Sequence, residues 1–173
     1  MLFLFLTLVL LGASANGLQQ QSQGQGIAEG CSHFVLTKEG QKITGIRVQV
    51  GTSGYLTSIQ VQHGTTWSPR HGSLQGTLQE VILNTDESIV QVTGSNGKTH
   101  CLQQLTFVTD KGRKLEFGQV GPNHFNALPQ TVGDALSSIF GRYDSACLTG
   151  LTFEWISGPK DVKAVKKQSS KGK

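Results

Sequence analysis

A regular alternation of apolar and polar residues dominates the middle of this chain. It recurs, fully or nearly so, in six segments that are rich in Ile, Val, Thr and Phe and are bounded by Gly, Asn or Asp. These segments are residues 43–50, 56–62, 78–83, 89–92, 101–108 and 151–155. A period of two is typical of antiparallel strands that bury one face. Many short strands joined by glycine-rich turns predict an all-β sandwich, barrel or prism.

Two local patterns add detail to this all-β prediction. Asn96-Gly97 lies between two of the alternating segments, and this dipeptide predicts a two-residue hairpin turn. Residues 132–140 are the one stretch whose apolar spacing suggests a helix. That stretch is short, so a helix there would be an exception in a chain of strands.

The amino-terminal residues have the pattern of an export signal. Residues 2–11 are apolar except for Thr7, and Ala13-Ser14-Ala15 follows with the small residues that signal peptidase accepts. The apolar run is too short to cross a bilayer, which takes about twenty residues. We therefore predict a signal peptide over residues 1–15, a secreted extracellular protein and no membrane span.

The net charge of +4 is concentrated at the carboxyl end. Residues 160–173 contain one acid and six lysines, namely Lys160, Lys163, Lys166, Lys167, Lys171 and Lys173. This segment carries +5 and the rest of the chain −1, so no basic surface for nucleic acid is expected. The lysine tail is either a solvated chain end or a salt-sensitive handle for polyanions such as sulfated mucin or heparan chains.

Composition divides the chain into four segments. After the signal peptide, residues 16–25 are rich in Gln, Ser and Gly and predict a flexible leader, and residues 158–173 predict a flexible basic tail. Residues 26–157 between them fit one domain that can bury a core without disulfides. The chain has three cysteines, Cys31, Cys101 and Cys147. In an oxidising compartment they imply one bridge and one remaining thiol, and the count leaves the pairing open.

No motif in the chain predicts catalysis. The five histidines lack the spacing of a metal site, no serine lies in a nucleophile motif, and no glycine-rich loop links a strand to a helix as in phosphate-binding proteins. We therefore predict a protein that binds a partner, with no enzymatic activity, no metal and no cofactor.

Several strand motifs resemble the jacalin-type lectin domain of mammalian lectin-like secretory proteins. They are residues 43–48 (ITGIRV), 59–68 (IQVQHGTTWS), 87–94 (ESIVQVTG), 105–113 (LTFVTDKGR), 117–118 (FG), 125–127 (FNA) and 150–155 (GLTFEW). Each motif is weak by itself, and their common order and spacing carry the resemblance over residues 26–156. The resemblance implies a β-prism, in which three antiparallel four-stranded sheets pack around a pseudo-threefold axis.

The resemblance also implies a sugar site at one end of the prism, where three loops meet. The first is glycine-rich and corresponds to Glu29-Gly30-Cys31, the second follows Trp67-Ser68, and the third corresponds to residues 141–149. In the family a carboxylate of the third loop accepts hydrogen bonds from sugar hydroxyls. Thr149 occupies that position here, which predicts a degenerate mannose site. Asp144 lies near it in sequence and is the alternative sugar ligand if the loop bends differently.

Other positions of the resemblance leave two interpretations open. Thr149 either bonds a sugar hydroxyl or is an ordinary loop residue, and Tyr143 either stacks on a sugar ring or is a solvated loop residue. Trp67 and Trp155 lie on strand patterns and are expected to pack rather than to hold a ligand. Of the positions where relatives have basic residues for sulfated glycans, only Arg47 is basic here; the others are Ser32, His33, Gln49 and Leu74.

The same resemblance pairs the cysteines. It implies a disulfide between Cys101 and Cys147, and it places Cys31 in the glycine-rich loop as a free thiol or an intermolecular link.

Three functions are compatible with these observations. The first is a secreted lectin-like protein of exocrine or mucosal fluid, stored in secretory granules, that binds glycans or glycoproteins such as mucins. The second is a secreted protein-binding or paracrine factor that kept the fold and lost sugar binding. The third, polyamine binding, is implied by the resemblance alone, and the near-neutral body argues against it because polyamines are cations.

The signal peptide gives the first testable prediction. When cells express the full chain, the protein recovered from the medium should begin at Asn16 or within a few residues of it by amino-terminal sequencing. Recovery of an extracellular protein that still begins at Met1 would contradict the prediction.

Overall fold

Twelve strands make up most of residues 31–157, the part of the chain that the computed structural model describes. In chain order they are β1 (Ser32–Leu36), β2 (Ile43–Val50), β3 (Leu56–His63), β4 (Thr66–Trp67), β5 (His71–Gly72), β6 (Thr77–Ile82), β7 (Ile89–Asn96), β8 (Leu102–Thr109), β9 (Lys114–Gly118), β10 (Asn123–Ala127), β11 (Ala135–Tyr143) and β12 (Leu148–Ile156). Residues 31–157 contain no helix, and hence none that could span a membrane. The all-β prediction is confirmed.

The strands form three antiparallel sheets around one core. Sheet 1 has the order β1-β11-β12, sheet 2 has the order β4-β3-β2-β6 with β5 also on β3, and sheet 3 has the order β10-β7-β8-β9. Each sheet contributes alternate residues to the core, which includes Leu36, Ile139 and Phe153 from sheet 1, Ile46, Val48 and Ile59 from sheet 2, and Val92, Leu105 and Phe107 from sheet 3. The β-prism is confirmed.

The number of strands per sheet differs from the expected four in two of the three sheets. Sheet 3 has four strands, and sheet 1 has three within the described residues. Sheet 2 has five because β4 and β5 both pair with β3, at Gln62 and Ser58 respectively. Pro69 lies between these two short strands and has no N–H for the ladder, so one edge position is split into two.

The suggested helix at residues 132–140 is wrong, because this segment leads into strand β11. The register of β11 against β12 shifts between Leu136 and Ser138. This bulge allows Leu136 and Ile139, three residues apart, both to be buried. An irregular strand therefore has the apolar spacing that a helix would show.

The two-residue turn at Asn96-Gly97 is also wrong. Strand β7 ends at Asn96 and β8 begins at Leu102, and the loop between them closes with a hydrogen bond from Gly97 N to Cys101 O of 3.0 Å. The five-residue connection brings Cys101 to the end of the prism.

The same glycine–phenylalanine contact occurs in two of the sheets. Phe34 lies opposite Gly141 in sheet 1, and Phe125 lies opposite Gly94 in sheet 3. A methyl group added at Gly141 would lie 2.3 Å from Phe34 Cζ, and one at Gly94 would lie 2.4 Å from Phe125 Cζ. Each ring therefore covers a position that only glycine can occupy, as in the pairing of aromatic residues with glycines across strands.

An ion pair between the buried Glu87 and the partly exposed Arg113 lies at the end of the prism opposite Cys101. The Glu87 side chain is fully buried, and its Oε2 accepts hydrogen bonds from Asn84 N (3.0 Å) and Arg113 Nη1 (2.5 Å). Burial opposes ionisation of Glu87, but the bonds from Asn84, Thr109 and Arg113 outweigh it and hold the pKa of the carboxyl below its ordinary value. The stabilisation this pair contributes is therefore present above about pH 4.5 and is lost as the pH falls through the lowered pKa.

The contact of Phe34 with Gly141 leads to a prediction about stability. Gly141→Ala should lower the free energy of unfolding by about 1–3 kcal/mol, because the added methyl group overpacks the Phe34 ring. Gly150→Ala is the matched control in the same sheet, since the nearest atom to its methyl group would be Arg142 Nη2 at 3.5 Å, an ordinary van der Waals distance. Urea denaturation of both variants is the measurement, and equal stabilities would contradict the prediction.

Candidate functional site

Five connections and the start of β1 come together at one end of the prism, which we call the loop end. The connections are residues 51–55, 73–76, 97–101, 119–122 and 144–147, and Cys31 lies beside them because β1 begins opposite Tyr143. Antiparallel strands of similar length begin and end at the same two ends of a sheet, so the turns between them lie at those two ends.

A disulfide ties two of these connections together. Cys101 and Cys147 are bonded, with 5.6 Å between their Cα atoms and 46 residues between them in sequence. This is the pairing that the resemblance implies, and Cys31 is a free, half-buried cysteine. A bridge over this separation contributes about 3–4 kcal/mol in the chain-entropy account.

Asp144 braces the same two connections from within. Its Oδ1 accepts hydrogen bonds from Ala146 N (2.7 Å) and Cys147 N (2.9 Å), and its Oδ2 lies 2.8 Å from His100 Nε2. Burial opposes ionisation, but the Cys147 N–H, His100 and the Ala146 N–H outweigh it and lower the pKa of Asp144. Both oxygens of this carboxylate are therefore bonded within the chain.

Thr149 lies inside β12 rather than in a loop. Its side chain is only 4% exposed, and its Oγ1 lies 3.8 Å from Cys31 Sγ, within hydrogen-bonding range for sulfur. The structure thus brings the first and third predicted loops into contact through Cys31 and Thr149. The Thr149 hydroxyl faces the thiol rather than solvent.

Tyr143 ends β11 and belongs to an aromatic cluster. Its ring centroid lies 6.0 Å from that of Phe34 and 6.3 Å from that of His71, and Phe34 and His71 stack at 4.9 Å. Burial lowers the pKa of His71, which favours the neutral ring in this stack. Tyr143 is half-buried, so it is neither a solvated loop residue nor a fully open platform.

A cleft of about 600 Å³ separates the bridged connections from residues 51–55 and 75–76. Tyr55, Thr57 and Gln75 line one side, and Thr99, His100 and Ala146 line the other. The sequence patterns did not single out Tyr55 or His100. The disulfide that the resemblance implies was the signal that could have identified His100, because it brings His100 next to the third loop.

Arg47, the basic residue that remained from the expected patch, does not present a free charge. Its guanidinium forms an ion pair with Glu80 and lies 3.9 Å from the centroid of the Trp67 ring. Trp67 therefore packs against an arginine at the end of β4, and Trp155 packs against the core, as expected for both. Neighbouring Glu80 offsets the attraction of Arg47 for a sulfate group.

Other predicted residues lie outside the described part of the chain. These are Glu29 and Gly30, the signal peptide, the leader and the six tail lysines. Within residues 31–157, the one group of three metal-ligand side chains is His100 with Cys101 and Cys147. Because both sulfurs are in the disulfide, they are not thiolate ligands.

Comparison with known proteins gives related sequences and folds. A sequence model described as the jacalin-like lectin domain matches residues 19–153. The chain is 38% identical over 161 residues to zymogen granule membrane protein 16 of Rattus norvegicus, which covers 89% of the chain and 93% of that protein. It is 30% identical over 155 residues to prostatic spermine-binding protein of Rattus norvegicus, which covers 89% of the chain and 53% of that protein.

Solved structures share the fold. A prostate-specific WGA16 glycoprotein lectin is 35% identical with a TM-score of 0.71, covering 79% of the chain and 99% of that structure. Artocarpin in complex with mannopentose has a TM-score of 0.62 at 21% identity, covering 80% of the chain and 99% of that structure, and shows likeness of fold alone.

The contacts of Asp144 lead to a prediction about stability and pH. At neutral pH, Asp144→Ala should lower the free energy of unfolding by about 1–2 kcal/mol, because it leaves two backbone N–H groups and His100 without their acceptor. The deficit should shrink as the pH falls below about 4, since the contribution of a carboxylate with a lowered pKa is lost as it is protonated. Urea denaturation over a range of pH is the measurement.

Asp86→Ala is the control for this experiment, because Asp86 forms an ion pair with Lys111 on the open surface. The control should unfold like the wild type at every pH. A deficit of Asp144→Ala that persists unchanged in acid would show that the carboxylate charge is not the cause.

Proposed function

The chain belongs to the jacalin-like lectin family, and we propose that it is a secreted lectin-like protein that binds glycans through its loop end without the charged acceptor of a mannose site. Family membership supports carbohydrate binding. The apolar run of residues 2–11 and the small residues after it support secretion. The rat, mouse and human relatives are named for zymogen granules, which supports storage in secretory granules before release.

The burial of Thr149 is the observation that carries the proposal. A sugar presents paired hydroxyls, and a carboxylate beside backbone amides can hold two of them at once. Here the residue at that position is a threonine that is 4% exposed and contacts Cys31. The nearby carboxylate of Asp144 bonds its own loop and His100.

The loop end retains features that suit a glycan. The cleft beside the bridged connections offers neutral hydroxyl, amide and aromatic groups, and the disulfide holds one wall in place. Neutral hydrogen bonds contribute about 0.5–1.5 kcal/mol, against about 1.5–3 for bonds to a charged group. We therefore expect weak binding that becomes useful on multivalent partners such as mucins, or on sulfated glycans that also meet the lysine tail.

Polyamine binding is the weaker candidate. A relative at 30% identity is a spermine-binding protein by name. Residues 31–157 hold nine acidic and nine basic residues, and Glu80, Asp86 and Glu87 form ion pairs with bases of the same chain. A polycation therefore finds no surplus of negative charge among these residues.

The test of the proposed function is a calorimetric titration with methyl mannoside beside a glycan array. The wild type should show no measurable binding to the monosaccharide. Thr149→Asp should show measurable binding, because a charged acceptor adds about 1–2 kcal/mol, which corresponds to roughly a five- to thirty-fold gain in affinity. Thr149→Asn is the matched control, since it has the shape of aspartate without the charge.

Three outcomes would be informative. Ready binding of mannose by the wild type would contradict the assignment of Thr149. Equal binding by Thr149→Asp and Thr149→Asn would show that the charge is not the missing element. An empty array for the wild type, including multivalent and sulfated glycans, would favour a protein partner instead.

A further inference from the structure

Exposed apolar side chains are concentrated on β6 and the loop before it. Within residues 31–157, seven large apolar side chains are exposed. Three of them are Leu74 (66% exposed), Leu78 (54%) and Ile82 (47%), which follow one another at intervals of four residues. We call these three residues the β6 stripe. Leu78 and Ile82 lie on the outer face of sheet 2, because they pair with Gln49 and Gly45 of β2 rather than with the core positions Val48 and Ile46.

The edge of β6 lacks the features that usually prevent strands from pairing between molecules. It has six residues, pairs with β2 alone among the described strands, and keeps a regular register without a bulge. It contains neither proline nor lysine. By contrast, β9 exposes Lys114 and Glu116, and Pro69 interrupts the opposite edge of sheet 2. Natural proteins protect edges by such charges and interruptions, and β6 has only Glu80.

The charge of Glu80 is already compensated within the same molecule. Its carboxylate pairs with Arg47 on the neighbouring strand, and Arg47 is held in turn by the Trp67 ring. A partner that covers β6 would therefore bury a formed ion pair rather than an isolated carboxylate, which avoids the largest desolvation cost.

The loop that carries Leu74 is held from below by buried polar groups. Gln49 Nε2 donates to Leu74 O (2.8 Å) and Thr57 Oγ1 donates to Gln75 O (2.6 Å). Ser58 Oγ donates to Gln49 Oε1 (2.9 Å), and Gln49, Thr57 and Ser58 are all buried. Leu74 is thus presented to solvent by a fixed loop, so little conformational entropy is lost when a partner covers it.

We propose that β6 pairs with β6 of a second copy of this chain, in an antiparallel and two-fold symmetric arrangement that joins two copies of sheet 2. Residues that lie opposite each other in such a pair must share a face of the sheet. This leaves registers in which even-numbered residues of one copy lie opposite even-numbered residues of the other. Two such registers overlap by five strand residues, centred on Gln79 or on Glu80. The one centred on Glu80 places Leu78 opposite the partner's Ile82, with Glu80 opposite the partner's Glu80, and we choose it because it brings the apolar side chains together. The strand part of the stripe is then self-complementary, because Leu78 and Ile82 of each copy meet Ile82 and Leu78 of the other, while Leu74 lies beyond the paired residues.

Self-complementarity is the reason for naming a second copy as the occupant. An apolar stripe on a strand edge offers no hydrogen-bonding groups to the hydroxyls of a glycan. A polyanion would not bind strongly to Arg47, because Glu80 already neutralises its charge. A two-fold pair also has a geometric consequence. Since β6 runs away from the loop end, antiparallel pairing directs the two loop ends in opposite directions. Such a dimer can link two separate partners, whereas a dimer with both loop ends on one side would bind twice to a single surface.

Sedimentation velocity of the purified chain tests the pairing over protein concentrations up to about a hundred micromolar. The wild type should show a mass twice that of the monomer at the upper concentrations. Leu78→Lys should raise the dissociation constant at least about tenfold, because it places a charge in the apolar pair. Val35→Lys is the matched control, since Val35 is equally exposed at 53% but lies on β1. A wild type that stays monomeric throughout, or equal dimers of all three proteins, would overturn the proposal.

A cysteine scan tests the register independently of stability. In a Cys31→Ser background, Glu80→Cys should form a disulfide-linked dimer under mild oxidation, because the two-fold axis brings the two positions together. Glu116→Cys on the edge of β9 is the control and should stay monomeric on a non-reducing gel. Failure of Glu80→Cys to link, or equal linking of both variants, would overturn this register. Neither experiment uses a sugar, so its result is separate from that of the mannose titration.

Discussion

The three sheets of this protein share one core, so every strand must bury alternate residues against the other two sheets. This requirement explains both the period of two and the position of the exceptions. Where a phenylalanine ring lies across the neighbouring strand, the residue beneath it is a glycine, as with Gly141 under Phe34 and Gly94 under Phe125. Where a strand bulges, as at Leu136, the period breaks while burial is maintained. Because the strands are antiparallel, their connections meet at the two ends of the prism, and the chemistry of the molecule is concentrated there.

At the loop end, groups that could bind a ligand serve instead to hold the chain together. The disulfide and the carboxylate of Asp144 both connect the loop at residues 97–101 to the loop at residues 144–147. Thr149 is buried against Cys31 in the same way. A hydrogen-bonding group that is satisfied internally gains little from a sugar hydroxyl, because binding only exchanges one bond for another. This end of the prism is therefore cross-linked internally, and hydroxyl, amide and aromatic groups line much of its cleft.

Sheet 2 shows the complementary situation on its outer face. Buried polar groups support the loop that carries Leu74, and an ion pair accounts for the charge at Glu80. Leu74, Leu78 and Ile82 remain exposed along this edge, beside the exposed polar residues Thr77 and Gln79. A lectin with a weak site gains from repetition of that site, so an edge suited to self-pairing and a neutral loop end are compatible features of one binding protein.

The sequence by itself determined the all-β class, since the alternation of apolar and polar residues shows which face of each strand is buried. The prism was implied by the resemblance that the order and spacing of the motifs carry. The resemblance also placed Cys31, Thr149 and Tyr143 at the same end of the prism. Only the tertiary structure decided how these residues are used. Asp144 and His100 are 44 residues apart, and their contact depends on where two loops end. Likewise, the pairing of Arg47 with Glu80 depends on which strand lies beside β2. Local patterns record which residues are buried, whereas charge compensation and hydrogen-bond partners come from segments that meet only after the chain has folded.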